Sequence, residues 1–151
     1  MLPVKHLVIA EDDIDDIFMF KYAFDDICSD LFQLHIATDG VELMKILRNN
    51  PVPIAIFLDL NMPRRSGQQC LKEIRSNDKF KDVPVIVLSG TDTESEINNC
   101  LEIGANYYYE KPESYQGFKN ILLKFTNNEL APVNLNSHPR SKVDVSKKGN
   151  Q

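Results

Sequence analysis

Five short apolar runs, each followed by a stretch of helical periodicity, constrain this chain more than any other feature. The runs are "HLVIA" (His6 to Ala10), "FQLHIAT" (Phe32 to Thr38), "IAIFLDL" (Ile54 to Leu60), "VPVIVLS" (Val83 to Ser89) and "NYYYEK" (Asn106 to Lys111). The first, third and fourth are nearly unbroken Val, Ile, Leu and Phe, the composition of strands covered on both faces. The second alternates, as a strand nearer a sheet edge does. Between them, apolar residues recur at steps of three and four. Ile17, Phe20, Phe24, Ile27 and Cys28 form the first stripe, and Leu43, Ile46 and Leu47 the second, before a stop at Pro51. Leu71 and Ile74 mark a third helix. Ile97, Cys100 and Leu101 mark a fourth that closes at Gly104, and Phe118, Ile121, Leu122 and Phe125 complete the last. A strand-then-helix order repeated five times predicts right-handed crossovers and a parallel sheet with helices on both faces, an α/β fold.

In such sheets ligands sit beyond the carboxyl ends of the strands. Here those ends carry Glu11 and Asp12, Asp59, Ser89, and Lys111. Thr38 and Asp39 end the alternating run, off to one side. The expected crevice therefore holds three carboxylates, one hydroxyl and one ammonium. Oxygen ligands of this kind suit a hard cation such as Mg²⁺, with Mn²⁺ an alternative. A carboxylate can also be a nucleophile that receives a phosphoryl group, with a Lys and a hydroxyl bonding its oxygens. The set coheres as a phosphoryl-accepting site.

Charge and length narrow the partners. The chain has 151 residues and a formal net charge of −5, enough length for one domain with a real core. Residues 132 to 151 carry Arg140, Lys142, Lys147 and Lys148 against Asp144, a net +3, which leaves −8 on residues 1 to 131. An acidic body argues against nucleic acid, whose binders present basic surfaces. No apolar stretch approaches the roughly 18 residues of a membrane span. The first residues lack a signal-peptide cleavage pattern, so a cytoplasmic location is expected. Cys28, Cys70 and Cys100 are far apart with no C-x-x-C pair, which reads as small buried hydrophobes. His6, His35 and His138 are equally scattered and suggest no metal site. Residues 129–151 read as a disordered, mildly basic tail, which leaves 1–128 as the folded domain.

"LVIAEDD", "IFLDLNMP", "VIVLSG" and "GANYYYEKP", in this order, resemble the four signature blocks of response-regulator receiver domains. The resemblance runs over about residues 4 to 128, and "DLNMPRRSG" resembles single-domain regulators associated with phytochromes. It implies a flavodoxin-like (βα)5 three-layer sandwich with strand order 2-1-3-4-5. It also implies a stand-alone regulator of two-component phosphorelay signalling, phosphorylated by a sensor histidine kinase or a histidine phosphotransfer protein. An unidentified downstream protein would read the result, and a homodimer through the last two helices and the fifth strand is compatible with it. Such a chain is a phosphorylation substrate that assists its own phosphoryl transfer and slow autodephosphorylation, not an enzyme acting on other molecules.

Position by position, the resemblance makes Asp59 the phospho-acceptor, Asp12 a direct metal ligand and Glu11 a partner of the metal largely through water. Asn61 would give the metal its backbone carbonyl. Ser89 matches the switch hydroxyl, Lys111 the phosphoryl-pairing lysine and Tyr108 the switch aromatic, with Tyr107 and Tyr109 on the opposite face of their strand. A cis Lys111–Pro112 bond is implied as well. Ser89 stands where threonine is commoner, Gly90 where a larger residue is usual, and Ser66 where Asp is common; none removes a required group. On phosphorylation Ser89 would move toward the phosphoryl and Tyr108 would follow inward from solvent, changing a face built from residues 92 to 127. Two other classes fit less well. A haloacid-dehalogenase-type phosphatase needs a second Asp where Asn61 stands, and a nucleotide-binding flavodoxin-like module needs a Gly-rich phosphate loop.

Overall fold

The computed structural model describes residues 3–90 and 93–130. The chain builds β1 (Lys5–Ala10), α1 (Ile14–Ile27), β2 (Phe32–Ala37), α2 (Gly40–Asn49), β3 (Ala55–Asp59), α3 (Gly67–Ser76), β4 (Val85–Ser89), α4 (Glu94–Ile103), β5 (Tyr107–Glu110) and α5 (Tyr115–Thr126). All four strand pairings are parallel, in the order β2-β1-β3-β4-β5. This is the flavodoxin-like arrangement expected from the sequence. Most of the expected tail lies outside the described residues, which end at 130.

Strand alternation divides the core into two layers. Val8 and Ala10 of β1, Ile56 and Leu58 of β3, and Val85 and Val87 of β4 pack with Leu43, Leu47, Leu71, Ile74, Ile97 and Cys100 of α2, α3 and α4. Their neighbours Leu7, Ile9, Phe57, Ile86 and Leu88 pack on the other face with Phe20, Ala23, Phe24, Phe118, Ile121 and Leu122 of α1 and α5. Each central residue therefore meets a helix whichever way it points, so β3 and β4 are buried at every position. Burying one such side chain stabilises the fold by roughly 1.5–3 kcal/mol. The edge strand β2 buries only Ala37 fully, which is why its sequence alternates. All three cysteines are buried and free, and burial pushes their thiols up, to about 11 for Cys28 and Cys70 and about 12 for Cys100.

The helices begin at the carboxyl ends of the strands, and each start is fixed by a side-chain cap. Asp13, Asp39, Ser66, Thr93 and Ser114 accept backbone N–H groups at the starts of α1 to α5. A cap of this kind is worth about 1 kcal/mol. Ser66 and Gln69 complete a reciprocal capping box at α3, so serine in place of the commoner Asp keeps the loop closed. Gly67 lets this helix press on β3. Its N–H donates to the Leu60 carbonyl at 2.9 Å, and a Cβ there would lie 2.4 Å from the Asp59 carbonyl oxygen. The α3 end of the molecule is clamped by Arg75, whose guanidinium donates to the Gly104, Phe80 and Lys81 carbonyls and to Asn106 Oδ1.

Candidate functional site

β1 and β3 run side by side and stop at the same level, so Glu11 and Asp12 emerge next to Asp59. β5 pairs with β4, and the Lys111 N–H donates to the Ser89 carbonyl at 2.7 Å, which brings the lysine over the same edge. The five strand-end residues selected from the sequence thus come from four strands at one end of the sheet. Glu11 and Asp59 are buried, with 2% and 3% of their surface exposed, while Asp12 faces solvent. Ligand oxygens of these three carboxylates lie within 4.8 Å of one another, and among the described residues they are the only such group.

Three crowded carboxylates need compensation, and Lys111 supplies it. Its Nζ lies 3.0 and 3.2 Å from the two Glu11 oxygens and 3.5 Å from Asp59 Oδ2. Backbone donors add to this: Asp13 N–H reaches Glu11 Oε2 at 3.1 Å, and Asn61 N–H reaches Asp59 Oδ1 at 3.2 Å. These partners do not fully offset the loss of water. Burial, then the charge of Asp59, raises the Glu11 pKa to about 7, and burial raises that of Asp59 too. Burial alone would depress Lys111, but Asp59 and Glu11 outweigh it and hold the ammonium above its ordinary range. A site in which burial raises the pKa of its acids, for want of enough positive charge, is suited to a cation. An all-oxygen donor set with one solvent-facing member fits a hard divalent ion that keeps some of its waters.

Asp16 belongs to this site as well, although its sequence context signalled only a helix start. It does sit in the first turn of α1, as expected, but its Oδ2 also lies 3.1 Å from Lys111 Nζ. Beside it, a depression of about 340 Å³ is lined by Asp13, Asp16, Gly90, Lys111 and Glu113 among others. Gly90 leaves room here, since a Cβ on it would meet no atom within 4 Å.

Ser89 and Tyr108 meet through a residue that the sequence did not single out. Ser89 Oγ donates to Glu96 Oε1 at 3.0 Å, and the Tyr108 hydroxyl donates to the same oxygen at 3.1 Å. Tyr108 is 1% exposed and packs in the α2–α3–α4 layer, whereas Tyr109 packs in the opposite one. The opposite facing of the tyrosines matches expectation. A Tyr108 waiting in solvent does not: its ring is already inside because Glu96 satisfies its hydroxyl there. The Lys111–Pro112 bond also differs from expectation, since no peptide bond among the described residues is cis. His6 and His35, scattered in sequence, face each other across β1 and β2 with ring nitrogens 2.8 Å apart. They stand apart from the carboxylate group.

Comparison with known proteins agrees with this fold. The family model described as "Response regulator receiver domain" matches residues 7–122. The chain is 35% identical over 85 residues to response regulator Rcp1 of Synechocystis sp., a match covering 52% of this chain and 58% of Rcp1. It is 31% identical over 131 residues to the peroxide stress-activated histidine kinase mak2 of Schizosaccharomyces pombe, covering 83% of this chain but 6% of the kinase. Among solved structures, the phosphorylated cyanobacterial phytochrome response regulator RcpA superposes with a TM-score of 0.76 at 29% identity, covering 83% of this chain and 96% of RcpA. The Mn²⁺-bound form of Rcp1 superposes with a TM-score of 0.71 at 28% identity, covering 78% of this chain and 91% of that one. Among the described residues no helix is long and apolar enough to cross a membrane. Four strand ends, their acids and lysine, and a family match spanning all five strand–helix units lead to one assignment: the chain belongs to the response regulator receiver domain family.

Proposed function

We propose that this chain is a phosphoryl-accepting switch of two-component signalling, with Asp59 as the acceptor. The observation that carries this reading is the convergence of Asp59, Glu11 and Asp12 within 4.8 Å, with Lys111 bridging Glu11 and Asp59. The donor is a phosphohistidine on a sensor kinase or a histidine phosphotransfer protein. An Asp59 carboxylate oxygen forms a bond to phosphorus as the bond from phosphorus to the imidazole nitrogen breaks, and the imidazole leaves with that electron pair.

Asp12, Asp59 and the Asn61 carbonyl would hold Mg²⁺, or Mn²⁺ in its place, with Glu11 reaching it through water. Such an ion, when bound, offsets charge on the transferring phosphoryl group. Lys111 orients the group: its ammonium already spans Glu11 and Asp59, so it can follow a phosphoryl oxygen with little displacement. The product places about two negative charges and three acceptor oxygens where one carboxylate stood. Ser89 bonds one of those oxygens, and the change spreads through Glu96 and Tyr108 to the α4-β5-α5 face, where a downstream protein or a second copy docks. Water slowly removes the phosphoryl group, which resets the switch. A cytoplasmic setting supplies both kinase and reducing conditions, in keeping with three free cysteines.

Acetyl phosphate and Mg²⁺ should phosphorylate the wild-type chain once, and Asp59→Asn should carry no phosphoryl group under the same conditions. Intact-protein mass spectrometry at neutral pH reads both. A stable phosphoryl group on another residue of Asp59→Asn would refute the assignment.

A further inference from the structure

One oxygen of Glu96 holds two buried hydroxyls. Ser89 is 0% exposed and Tyr108 is 1% exposed, and both donate to Glu96 Oε1, at 3.0 and 3.1 Å. Glu96 is the third residue of α4, three positions after the cap Thr93, whose Oγ1 accepts the Glu96 N–H at 3.3 Å. In that position a Glu side chain commonly turns back to the cap, as Gln69 does at α3. Here an Oε1 instead reaches across to β4 and β5. A carboxylate accepts several hydrogen bonds at once, but a serine hydroxyl has a single proton to donate. An aspartyl phosphate presents only acceptor oxygens, so Ser89 cannot donate to it and to Glu96 at the same time.

We infer that Glu96 is a positioning residue for phosphoryl capture: a latch that holds the Ser89 hydroxyl on α4 and must release it before Ser89 bonds a phosphoryl group on Asp59. This rests on the phosphoryl-acceptor reading and adds a cost and a route to it. The cost is a charge-assisted hydrogen bond, so the latch lowers the affinity of the site for a phosphoryl group. The route is mechanical: release leaves Glu96 bonded to Tyr108, so the first turn of α4 answers to β5 in the phosphorylated state and to both strands before it.

Beryllofluoride with Mg²⁺ is a suitable probe, because it mimics the phosphoryl group without turning over. The chain has five tyrosines and no tryptophan, so tyrosine emission can follow its binding. Glu96→Ala should bind beryllofluoride about tenfold more tightly than wild type, the order expected for removing one charge-assisted hydrogen bond. Glu96→Gln keeps an acceptor oxygen and should stay within roughly threefold of wild type. In a Ser89→Ala background the gain from Glu96→Ala should vanish, since no hydroxyl remains to release. Thermal unfolding of each variant checks that it is folded, and alanine is well tolerated in an early helical turn. Unchanged affinity in Glu96→Ala, equal gains in the Ala and Gln variants, or a gain that survives in Ser89→Ala would each overturn the latch while wild type still responds. A wild-type chain that shows no response to beryllofluoride would overturn the phosphoryl-acceptor reading, and the latch with it.

Discussion

Lys111 Nζ lies 3.1 Å from Asp16 Oδ2, so the lysine at the end of β5 is shared by a third carboxylate from α1. Asp16 pulls the ammonium toward the rim while Glu11 and Asp59 hold it inward. The two ends of the domain's sequence are thereby joined across the mouth of the site.

Asp16→Asn should free Lys111 and remove one negative charge from the approach to Asp59. Phosphorylation by acetyl phosphate should then speed up several-fold, by roughly three- to tenfold for a charge at this range in a partly solvated setting. Lys111→Met should do the opposite, leaving three acids uncompensated. Rates from intact-mass time courses check both, and equal rates in Asp16→Asn and wild type would contradict the competition.

The buried acids give the metal-free domain a pH dependence of definite sign. The Glu11 pKa is raised from 4.5 to about 7 in the folded chain, so the folded state retains a proton that the unfolded state has released. The site's contribution to stability is fully present below about pH 4.5 and is lost as pH rises toward 7, a change of roughly 3 kcal/mol. Asp59 shifts in the same direction. In EDTA, urea midpoints should therefore fall between pH 5 and pH 8, and Glu11→Gln should flatten the profile. Millimolar Mg²⁺ should restore much of the loss at pH 8, because a bound cation favours the ionised acids.

Two glycines near the site should differ sharply in their tolerance of a side chain. Gly67→Ala would put a Cβ 2.4 Å from the Asp59 carbonyl oxygen and 2.6 Å from the Leu60 Cα. Backbone on both sides leaves little freedom to yield, so the variant should lose about 2–4 kcal/mol of stability. Gly90→Ala meets open space and should change stability by less than about 0.5 kcal/mol. Urea unfolding distinguishes them directly.

Arg75→Ala should be among the more damaging surface-proximal changes. The guanidinium satisfies three carbonyls and the Asn106 side chain, and Asn106 Oδ1 also accepts the Val85 N–H at the start of β4. Its loss should cost about 2–3 kcal/mol, and lysine should not rescue it, because one ammonium cannot reproduce a planar fork. Thermal unfolding of the alanine and lysine variants provides the comparison.

The sheet and the acid crevice were legible because both are governed by local rules. Strands covered on both faces must be apolar up to their carboxyl ends, as β3 and β4 are before Asp59 and Ser89, and ligands gather where parallel strands end. Glu11, Asp12, Asp59, Ser89 and Lys111 follow from that alone. The residues that escaped notice act through register or side-chain reach. Asp16 looks like any acid in a first helical turn, and its bond to Lys111 depends on how β5 docks. Glu96 fills a position where a Glu commonly caps its own helix, so nothing local marks its reach to Ser89 and Tyr108. His6 and His35 meet only because β1 and β2 pair with Val8 opposite His35. Tyr108 resembles a moving switch residue in sequence, and the acceptor that keeps it inside, Glu96, lies on a different element.

The three buried thiols have a practical consequence for following motion in this domain. Cys28 ends α1, Cys70 lies in α3 and Cys100 in α4. With pKa values near 11 and 12, almost none is thiolate at neutral pH. An alkylating reagent can therefore reach each one only when its own helix lifts from the sheet. The rate at which Cys100 is labelled becomes a clock for the opening of α4, with Cys28 and Cys70 as internal references on helices that the latch does not touch.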